Sequence, residues 1–221
     1  MKISIITLFP EMFSPILNTS ILGRAQKKGK VTFEFINLRD FGEGPHQVVD
    51  SRPYGGGPGM VLRADILSRA LKSISNKPYV ILTSASGKSY KQSDAKRLSN
   101  IKHLVLICGH YEGVDQRFID KYVDQEYSIG DFVLTGGEIP AMIIADSIVR
   151  LIPGVLVKED ATINESFTEN LLEGPQYTRP DDFEGLKVPE ILISGHHKKI
   201  EEWRKEEGLK KTKKVRPDLL K

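Results

Sequence analysis

Cysteine is almost missing from this chain of 221 residues, since Cys108 is the single example. One cysteine excludes a disulfide within the chain and a zinc site built on several thiolates. A chain that does without disulfides suits a reducing compartment. We therefore expect the protein to be cytoplasmic.

Long apolar runs are also missing. No stretch approaches the roughly 20 apolar residues that a membrane-spanning helix needs, so we expect no membrane partner. The N-terminal sequence M-K-I-S-I-I-T-L-F-P-E has an apolar run too short for a signal peptide and soon meets the acid Glu11. We interpret this segment as a first strand.

The common phosphate-binding motifs are incomplete or absent. The sequence S-A-S-G-K-S at residues 84–89 ends like a P-loop, but the glycine that begins that motif would be residue 82, and this chain has Leu82. No G-x-G-x-x-G follows an apolar run, which excludes a conventional dinucleotide-binding turn. The five histidines are scattered, and His196 and His197 would point apart on a helix. We therefore predict no metal site built from histidines.

The net charge of +3 hides an asymmetry along the chain. Residues 196–221 hold 10 Lys and Arg and 5 Asp and Glu, a net charge of +5. The rest of the chain keeps 32−10=22 basic and 29−5=24 acidic residues, a net charge of −2. A basic C-terminal segment is typical of a protein that binds a polyanion, and equally of a solvated chain end.

The apolar pattern predicts an α/β fold. Short apolar runs separated by helix-like segments are typical of a mostly parallel sheet flanked by helices. The predicted strands are residues 3–8, 31–38, 79–83, 103–108 and 122–127, and the predicted helices are residues 11–26, 63–73 and 92–100. In such sheets ligands bind beyond the carboxyl ends of the strands. Residues 83–87, 108–113 and 128–138 follow three of these ends and are candidate walls of one pocket.

The stretch S-I-G-D-F-V-L-T-G-G-E-I-P-A at residues 128–141 is the most informative part of the chain. Thr135 and Glu138 have the spacing of a capping box, but Pro140 would then need an N–H that it lacks. The helix that continues to residue 152 is therefore expected to begin at about Ile139 or Pro140, where a proline is tolerated. Residues 129–138 are left as a loop whose backbone is free to bind a ligand.

Residues 40–60 form a long polar segment that ends in D-S-R-P-Y-G-G-G-P-G-M. Its glycines and prolines exclude a helix or a central strand. Two interpretations stay open. It is a rigid surface turn, or it folds against a nucleotide, with Arg52 for phosphate and Tyr54 for stacking.

Three further charged positions have both a structural and a functional interpretation. Arg150 interrupts an apolar helix and lies four residues after Asp146, so it forms an ion pair there or stabilises negative charge on a substrate. Glu165 and Glu169 lie in the polar segment 158–170, which we interpret as a linker or a mobile lid. They are solvated, or one of them serves as a general base.

Six motifs of this sequence resemble one family closely. They are L-F-P-E-M-F at residues 8–13, D-S-R-P-Y-G-G-G-P-G-M at 50–60, C-G-H-Y-E-G-V-D at 108–115, Y-S-I-G-D-F-V-L-T-G-G-E-I-P-A-M at 127–142, I-P-G-V-L at 152–156 and Q-Y-T-R-P at 176–180. In this order and over nearly the whole chain, they resemble the bacterial tRNA (guanine-37-N1)-methyltransferases.

The resemblance implies a fold, an activity and an assembly. It implies an α/β domain of residues 1–157 that binds S-adenosylmethionine and contains a C-terminal trefoil knot, a rare exception to the rule against threaded chains. A flexible linker or lid at residues 158–172 and a small, mainly helical RNA-binding domain at residues 173–221 would follow. The family acts as a homodimer with active sites between the subunits, and it methylates N1 of the guanine 3′ of the tRNA anticodon.

The resemblance also implies the site residues. The cofactor-binding positions would be Ser84, Gly109, Tyr111, Glu112, Gly113, Ile129, Gly130, Asp131, Phe132, Val133, Leu134, Gly136 and Gly137. The catalytic positions would be Arg150 and Glu165. We expect Glu165 to take the proton from guanine N1 while Arg150 stabilises the charge on O6. The family's activity is linked to Mg²⁺, and Glu112 is the residue that we would test for it.

Glu165 also marks a departure, because the family has an aspartate there. The extra methylene moves the carboxylate outward, and reaction geometry is sensitive to roughly 1 Å. Lesser departures are Asn164, where the family often has an acid, and Ala85, where it often has proline. Two alternative functions stay open: a catalytically impaired RNA-binding relative, and a knotted methyltransferase that acts on another RNA.

Overall fold

The computed structural model describes residues 1–75, 77–157, 162 and 165–221. The chain divides into two compact units, Met1–Val157 and Lys158–Lys221. No helix in the described part of the chain combines the length and apolar character required to cross a membrane. The predicted linker and RNA-binding domain stay predictions, and residues 158–161, 163 and 164 of that linker lie outside the described residues.

The first unit alternates strands and helices, as the apolar pattern predicts. Its elements are β1 (Lys2–Thr7), α1 (Ser14–Leu17), α2 (Ser20–Lys27), β2 (Thr32–Asn37), β3 (Asp50–Ser51), β4 (Val61–Leu62), α3 (Ala64–Lys72), β5 (Tyr79–Ser89), α4 (Gln92–Leu98), β6 (His103–Cys108), α5 (Gln116–Tyr122), β7 (Gln125–Ser128) and α6 (Glu138–Val149). Turns of 3-10 helix add Pro10–Met12 and Leu38–Phe41.

Five of these strands form one sheet in the order β2-β1-β6-β5-β7, and every neighbouring pair is parallel. The predicted parallel α/β sheet is therefore confirmed. β3 and β4 form a separate antiparallel pair. In the large sheet Thr83 of β5 pairs with Cys108 of β6 and with Tyr127 of β7, so the three strands reach the same edge.

The sheet is covered on both faces because its strands are apolar at odd and even positions alike. Side chains alternate between faces along a strand. Leu104 and Leu106 of β6 pack in one core cluster with Ile144 of α6. Val105 and Ile107 pack in the opposite cluster with helix α3. Burial on both sides is the reason why these strands read as continuous apolar runs.

The prediction of one continuous helix over residues 11–26 is wrong. Residues 11–26 are divided among a 3-10 turn, α1 and α2, because Thr19 takes an extended conformation as the N-cap of α2. Gly23 then packs against Asn18, where a Cβ would lie 2.7 Å from the carbonyl carbon. The chain folds back at this point, which a periodic apolar pattern does not reveal.

The segment before β7 is also different from the prediction. Residues 116–122 form α5, which the apolar pattern did not predict, and β7 begins only at Gln125. Asp115 caps the helix, since its carboxylate accepts a 2.9 Å hydrogen bond from the N–H of Arg117. An aspartate in the N-cap position was the signal that could have identified this helix.

The second unit is mainly helical in its described part. It contains a 3-10 turn at Thr168–Asn170, a short antiparallel pair of β8 (Asp182–Phe183) and β9 (Leu186–Lys187), α7 (Glu190–Ile193), α8 (His197–Val215) and a 3-10 turn at Pro217–Leu220. Thr212 of α8 is fully buried and accepts a 2.9 Å hydrogen bond from the N–H of Leu172. This bond holds the segment around Leu172 on α8.

Candidate functional site

Three loops at the carboxyl edge of the sheet surround an open cleft of about 360 Å³. The predicted residues that line it are Ser84, Gly109, Tyr111, Glu112, Gly113, Ile129, Gly130, Phe132, Val133, Leu134, Gly136 and Gly137. Further lining residues are Leu82, Thr83, Ala85, Ser86, His110, Val114, Tyr127, Ser128, Thr135 and Pro140. Asp131 is the predicted site residue of this set that lies outside the lining, and its side chain is exposed. Contact of these residues with a methyl donor stays a prediction.

The first wall of the cleft is a bulge within β5. Thr83 and Lys88 both pair with Tyr127 of β7, so residues 84–87 leave the ladder between them. Gly87 closes the bulge against β7, where a Cβ would lie 2.7 Å from the backbone nitrogen of Tyr127. The incomplete P-loop motif of the sequence is therefore a bulged strand.

The second wall, residues 108–113, and the third wall, residues 128–138, approach each other through two glycines. The N–H of Gly137 donates a 2.7 Å hydrogen bond to the carbonyl of Gly109. A Cβ on Gly137 would lie 2.6 Å from the nitrogen of Gly109, and a Cβ on Gly109 would lie 2.8 Å from the carbonyl oxygen of Thr83. The two loops pack backbone on backbone, which only glycine permits here.

The helix after the third wall begins at Glu138, with Pro140 in its first turn. The predicted start at about Ile139 or Pro140 is thus one or two residues late, within the usual uncertainty of helix ends. The Glu138 side chain is buried and accepts a 2.8 Å hydrogen bond from the hydroxyl of Thr7. This bond joins the start of α6 to the end of β1.

Cys108 lies beside Glu138 and is fully buried. Burial, and after it the carboxylate of Glu138, hold the pKa of this thiol well above its ordinary value. A thiolate is the reactive form of cysteine. Cys108 is therefore a packing residue and not a nucleophile.

His110 and Tyr111 form the turn after β6. The backbone of Tyr111 is left-handed, with φ at +58°, a conformation that a bulky residue rarely adopts. The two rings meet edge to face with centroids 4.6 Å apart, and Phe9 packs on the imidazole from another side. Among the described residues, Nδ1 of His110 is the buried side-chain atom without a hydrogen-bond partner.

The cleft is anchored from below by a buried polar cluster around Tyr127. Its hydroxyl donates a 2.8 Å hydrogen bond to Asp94 and accepts one of 2.9 Å from Arg97. Burial, followed by the bond to Asp94, raises the pKa of Tyr127 to about 12. Lys88 reaches the same carboxylate at 3.3 Å, which links the end of the bulge to α4.

The glycine-rich segment 50–60 ends against the second wall. The N–H of Glu112 donates a 2.9 Å hydrogen bond to the carbonyl of Met60, and the N–H of Leu62 donates one of 2.9 Å to Gly113. Tyr54 is 98% exposed and Arg52 is exposed as well. Both interpretations of this segment, surface turn and nucleotide-binding loop, stay open.

Arg150 lies half-buried at the C-terminal end of α6, where its N–H donates a 3.1 Å hydrogen bond to the carbonyl of Asp146. It does not line the cleft. The ion pair between the side chains of Asp146 and Arg150 stays a prediction, as does the role of Arg150 in catalysis.

Glu165 belongs to the second unit. It lines a pocket of about 510 Å³ that lies between the segment at residues 165–176 and helix α8. Its carbonyl accepts a 3.0 Å hydrogen bond from the N–H of Thr168. Asn164, the neighbouring departure from the family pattern, lies outside the described residues. The role of Glu165 as general base stays a prediction.

The comparisons with known proteins agree over the full length. The family model described as tRNA (guanine-1)-methyltransferase TrmD matches residues 1–221. The chain belongs to this family. Curated relatives named tRNA (guanine-N(1)-)-methyltransferase include those of Bacillus pumilus, 53% identical, and Bacillus subtilis, 52% identical, and each alignment covers 100% of this chain and 92% or 93% of the relative. The relative of Lactobacillus delbrueckii subsp. bulgaricus is 53% identical, with 100% of this chain and 89% of the relative covered.

Family membership confirms the resemblance found in the motifs, but neither the motifs nor the apolar pattern predicted a buried polar layer in the site. Thr7, Thr83 and Glu138 form the buried layer beneath the glycine walls. The hydroxyl of Thr83 lies 3.2 Å from the carbonyl of Gly137. A polar residue within an apolar strand was the available signal, since such a residue usually needs a buried partner.

Proposed function

We propose that this chain transfers the methyl group of S-adenosylmethionine to N1 of guanine-37 in tRNA, the guanine 3′ of the anticodon. As a member of the family it is a tRNA (guanine-N1)-methyltransferase. The observation that carries the donor is the cleft at the carboxyl edge of the parallel sheet, where such folds bind their ligands.

The cleft has the character that the donor requires. Gly109 and Gly137 let two walls pack backbone on backbone, which brings the backbone N–H and C=O groups of neighbouring loop residues to the cleft. Such groups would hold adenine and ribose, while Leu82, Ile129 and Leu134 supply apolar surface. The donor's sulfonium supplies an electrophilic methyl group, so no metal ion is needed to activate it.

Two side chains would carry out the proton transfer and the charge stabilisation that methylation of guanine requires. Guanine N1 carries a proton that must leave before the nitrogen attacks, and Glu165 would accept it. Negative charge then develops on O6, which the guanidinium of Arg150 would stabilise. Arg150 belongs to the first unit and Glu165 to the second. In the proposed homodimer the site lies between subunits, and the partner's Glu165 would complete it.

Exposed apolar side chains support the homodimer. Ile139 and Ile143 are 47% and 45% exposed and lie four residues apart on one face of α6. Phe132 and Val133 of the third wall are exposed as well. Contiguous exposed apolar surface is typical of an interface. A knot at this end of the unit is proposed from the family resemblance alone.

The second unit is the proposed RNA-binding domain. Residues 196–221 carry the basic excess, and α8 ends with Lys213 and Lys214 in its last turn. Basic side chains along this helix, with Arg179, would bind RNA phosphates, so affinity for tRNA is expected to fall as salt rises. We place the reaction in the cytoplasm, where mature and precursor tRNA are available.

Magnesium finds less support in the side chains. The described residues contain no group of three or more His, Cys, Asp or Glu that could hold a metal ion. Glu112 alone offers one exposed carboxylate at the cleft. The residues do not form a metal site by themselves, and no step of the proposed reaction passes through one.

A methyl-transfer assay tests the proposal. The protein is given S-adenosylmethionine and a tRNA with guanine 3′ of the anticodon, or the same tRNA with adenine there. We expect methylation of the first alone, with the product mapped to N1 of that base. Equal methylation of both would contradict the assigned target. Binding of donor and tRNA without transfer would favour the impaired RNA-binding relative, for which the glutamate at position 165 is the supporting feature.

A further inference from the structure

Glu138 carries a buried carboxyl group close to the lining of the cleft. The side chain is 3% exposed and lies directly behind the third wall. A Cβ placed on Gly136 would contact Oε2 of Glu138 and would lie 2.7 Å from Nδ1 of His110. Since Gly136 lines the cleft, one backbone layer separates the carboxylate from the ligand space.

The Glu138 side chain lies between a hydroxyl donor and the start of a helix. Oε1 accepts the hydrogen bond of Thr7, and Glu138 is the first residue of α6, where the helix dipole stabilises negative charge. None of the ion pairs found among the described residues includes Glu138. Its charge is therefore not neutralised by a lysine or arginine there.

The cleft itself is lined by no lysine or arginine among its residues, all of which belong to the described part of the chain, and the basic side chain in its lining is the imidazole of His110. Glu112 contributes a further carboxylate from the second wall. Negative charge beneath and beside a cleft of low polarity is stabilised by a cation that binds there.

We propose that the buried carboxylate of Glu138 raises the affinity of the cleft for cationic ligands over neutral ones. It thereby distinguishes the sulfonium donor from the thioether that remains after transfer. When the methyl group leaves, the electron pair of the S–C bond stays on sulfur and the ligand loses its positive charge. The product then no longer gains from Glu138, which favours its exchange for new donor. This inference rests on the proposed function.

The test compares three ligands that differ in charge at one atom. S-adenosylmethionine carries a sulfonium, sinefungin an ammonium group at the same place, and S-adenosylhomocysteine a neutral thioether. Dissociation constants are measured by calorimetry for the unchanged protein and for Glu138→Gln, whose amide oxygen can still accept from Thr7. We expect the substitution to weaken both cationic ligands by roughly tenfold and the neutral one much less.

Three further variants separate charge from packing. Thr7→Val removes the hydrogen bond but keeps the carboxylate, and Asp120→Asn removes an exposed acid of α5. Both are expected to keep the ratio of affinities for S-adenosylmethionine and S-adenosylhomocysteine. Glu138→Met is a second neutral side chain of similar length, to be used if the amide variant does not fold.

The outcomes distinguish this inference from the proposed function. Equal weakening of all three ligands in Glu138→Gln, or a changed ratio in Thr7→Val, would show a structural role alone and overturn the inference. If the unchanged protein bound none of the three ligands, the proposed donor would be wrong and the inference would fail with it.

Discussion

The hydroxyl of Tyr127 donates a 2.8 Å hydrogen bond to Oδ1 of Asp94, and both residues are buried. They belong to β7, which pairs with the bulged end of β5, and to α4, which follows β5 along the chain. Lys88 and Arg97 bind to the same pair of groups. The wall of the cleft at residues 84–87 therefore depends on the buried polar cluster beside it.

Removal of the hydroxyl with Tyr127→Phe is expected to lower the free energy of unfolding by about 1–3 kcal/mol, because Asp94 then keeps a buried charge with one partner fewer. Urea denaturation measures the change. Tyr122→Phe removes a hydroxyl whose 3.2 Å bond to Ser68 is only partly buried, and it should cost less. A loss no greater in Tyr127→Phe than in Tyr122→Phe would contradict the anchoring role.

Asp94 should also make the free energy of unfolding depend on pH at acidic pH. Burial raises the pKa of its carboxyl, but hydrogen bonds from Tyr127 and Lys88 outweigh burial and leave the pKa below the ordinary 3.8. The folded state then binds the proton less readily than the unfolded state. Its contribution to stability is present above pH 3.8 and is lost as the pH falls below that value.

The difference in free energy of unfolding between the unchanged protein and Asp94→Asn is the quantity to follow. We expect it to shrink as the pH is lowered from about 5 to about 2. Asp120→Asn, at an exposed position, should show no comparable trend. A difference that stays constant over this range would mean that folding does not lower the pKa of Asp94.

Gly137→Ala tests the close approach of two walls. The added Cβ would lie 2.6 Å from the nitrogen of Gly109 and 2.8 Å from Cα of Cys108, so the loops must move apart. Overpacking of this kind costs about 1–3 kcal/mol. We expect a loss of that size in thermal unfolding and at least a tenfold loss of donor affinity. Donor binding at the original strength would show that the cleft does not depend on this contact.

Glu165→Gln tests the proposed general base. Loss of a positioned base costs typically 10²–10⁴-fold in rate, so single-turnover methyl transfer should slow to that extent while donor affinity is kept. Glu169→Gln is the matched control, since both acids line the same pocket of the second unit. If the rate fell with Glu169→Gln and not with Glu165→Gln, the base would be Glu169. Glu165→Asp, which introduces the shorter acid that the resemblance implies at this position, should retain activity.

The sequence predicted those parts of the fold that depend on neighbouring residues. The run at residues 103–108 is β6 to the residue, because an apolar stretch buried on both faces has no other stable arrangement. The three loops were placed at one edge because parallel strands leave no alternative. Helix α5 was missed, since its seven residues bury little more than Phe118.

Contacts between distant segments could not be predicted in this way. Thr7 and Glu138 are separated by 131 positions, and only the folded sheet brings them within hydrogen-bond distance. The same holds for Tyr127 and Asp94 across 33 positions. The sequence pattern singled out Arg150 and Glu165 but left a structural and a functional interpretation open for each, and their catalytic roles were taken from the family resemblance.

The bulge in β5 imposes a constraint on how this wall can vary among related proteins. Thr83 and Lys88 both pair with Tyr127, so the bulged segment between them, residues 84–87, is held at each end by β7. A changed side chain, such as Ala85, leaves that closure intact. An inserted or deleted residue would instead move Lys88 away from Asp94 and shift the final pair with Ser128. We therefore expect related proteins to keep the number of residues in this bulged segment constant even where the residue types differ.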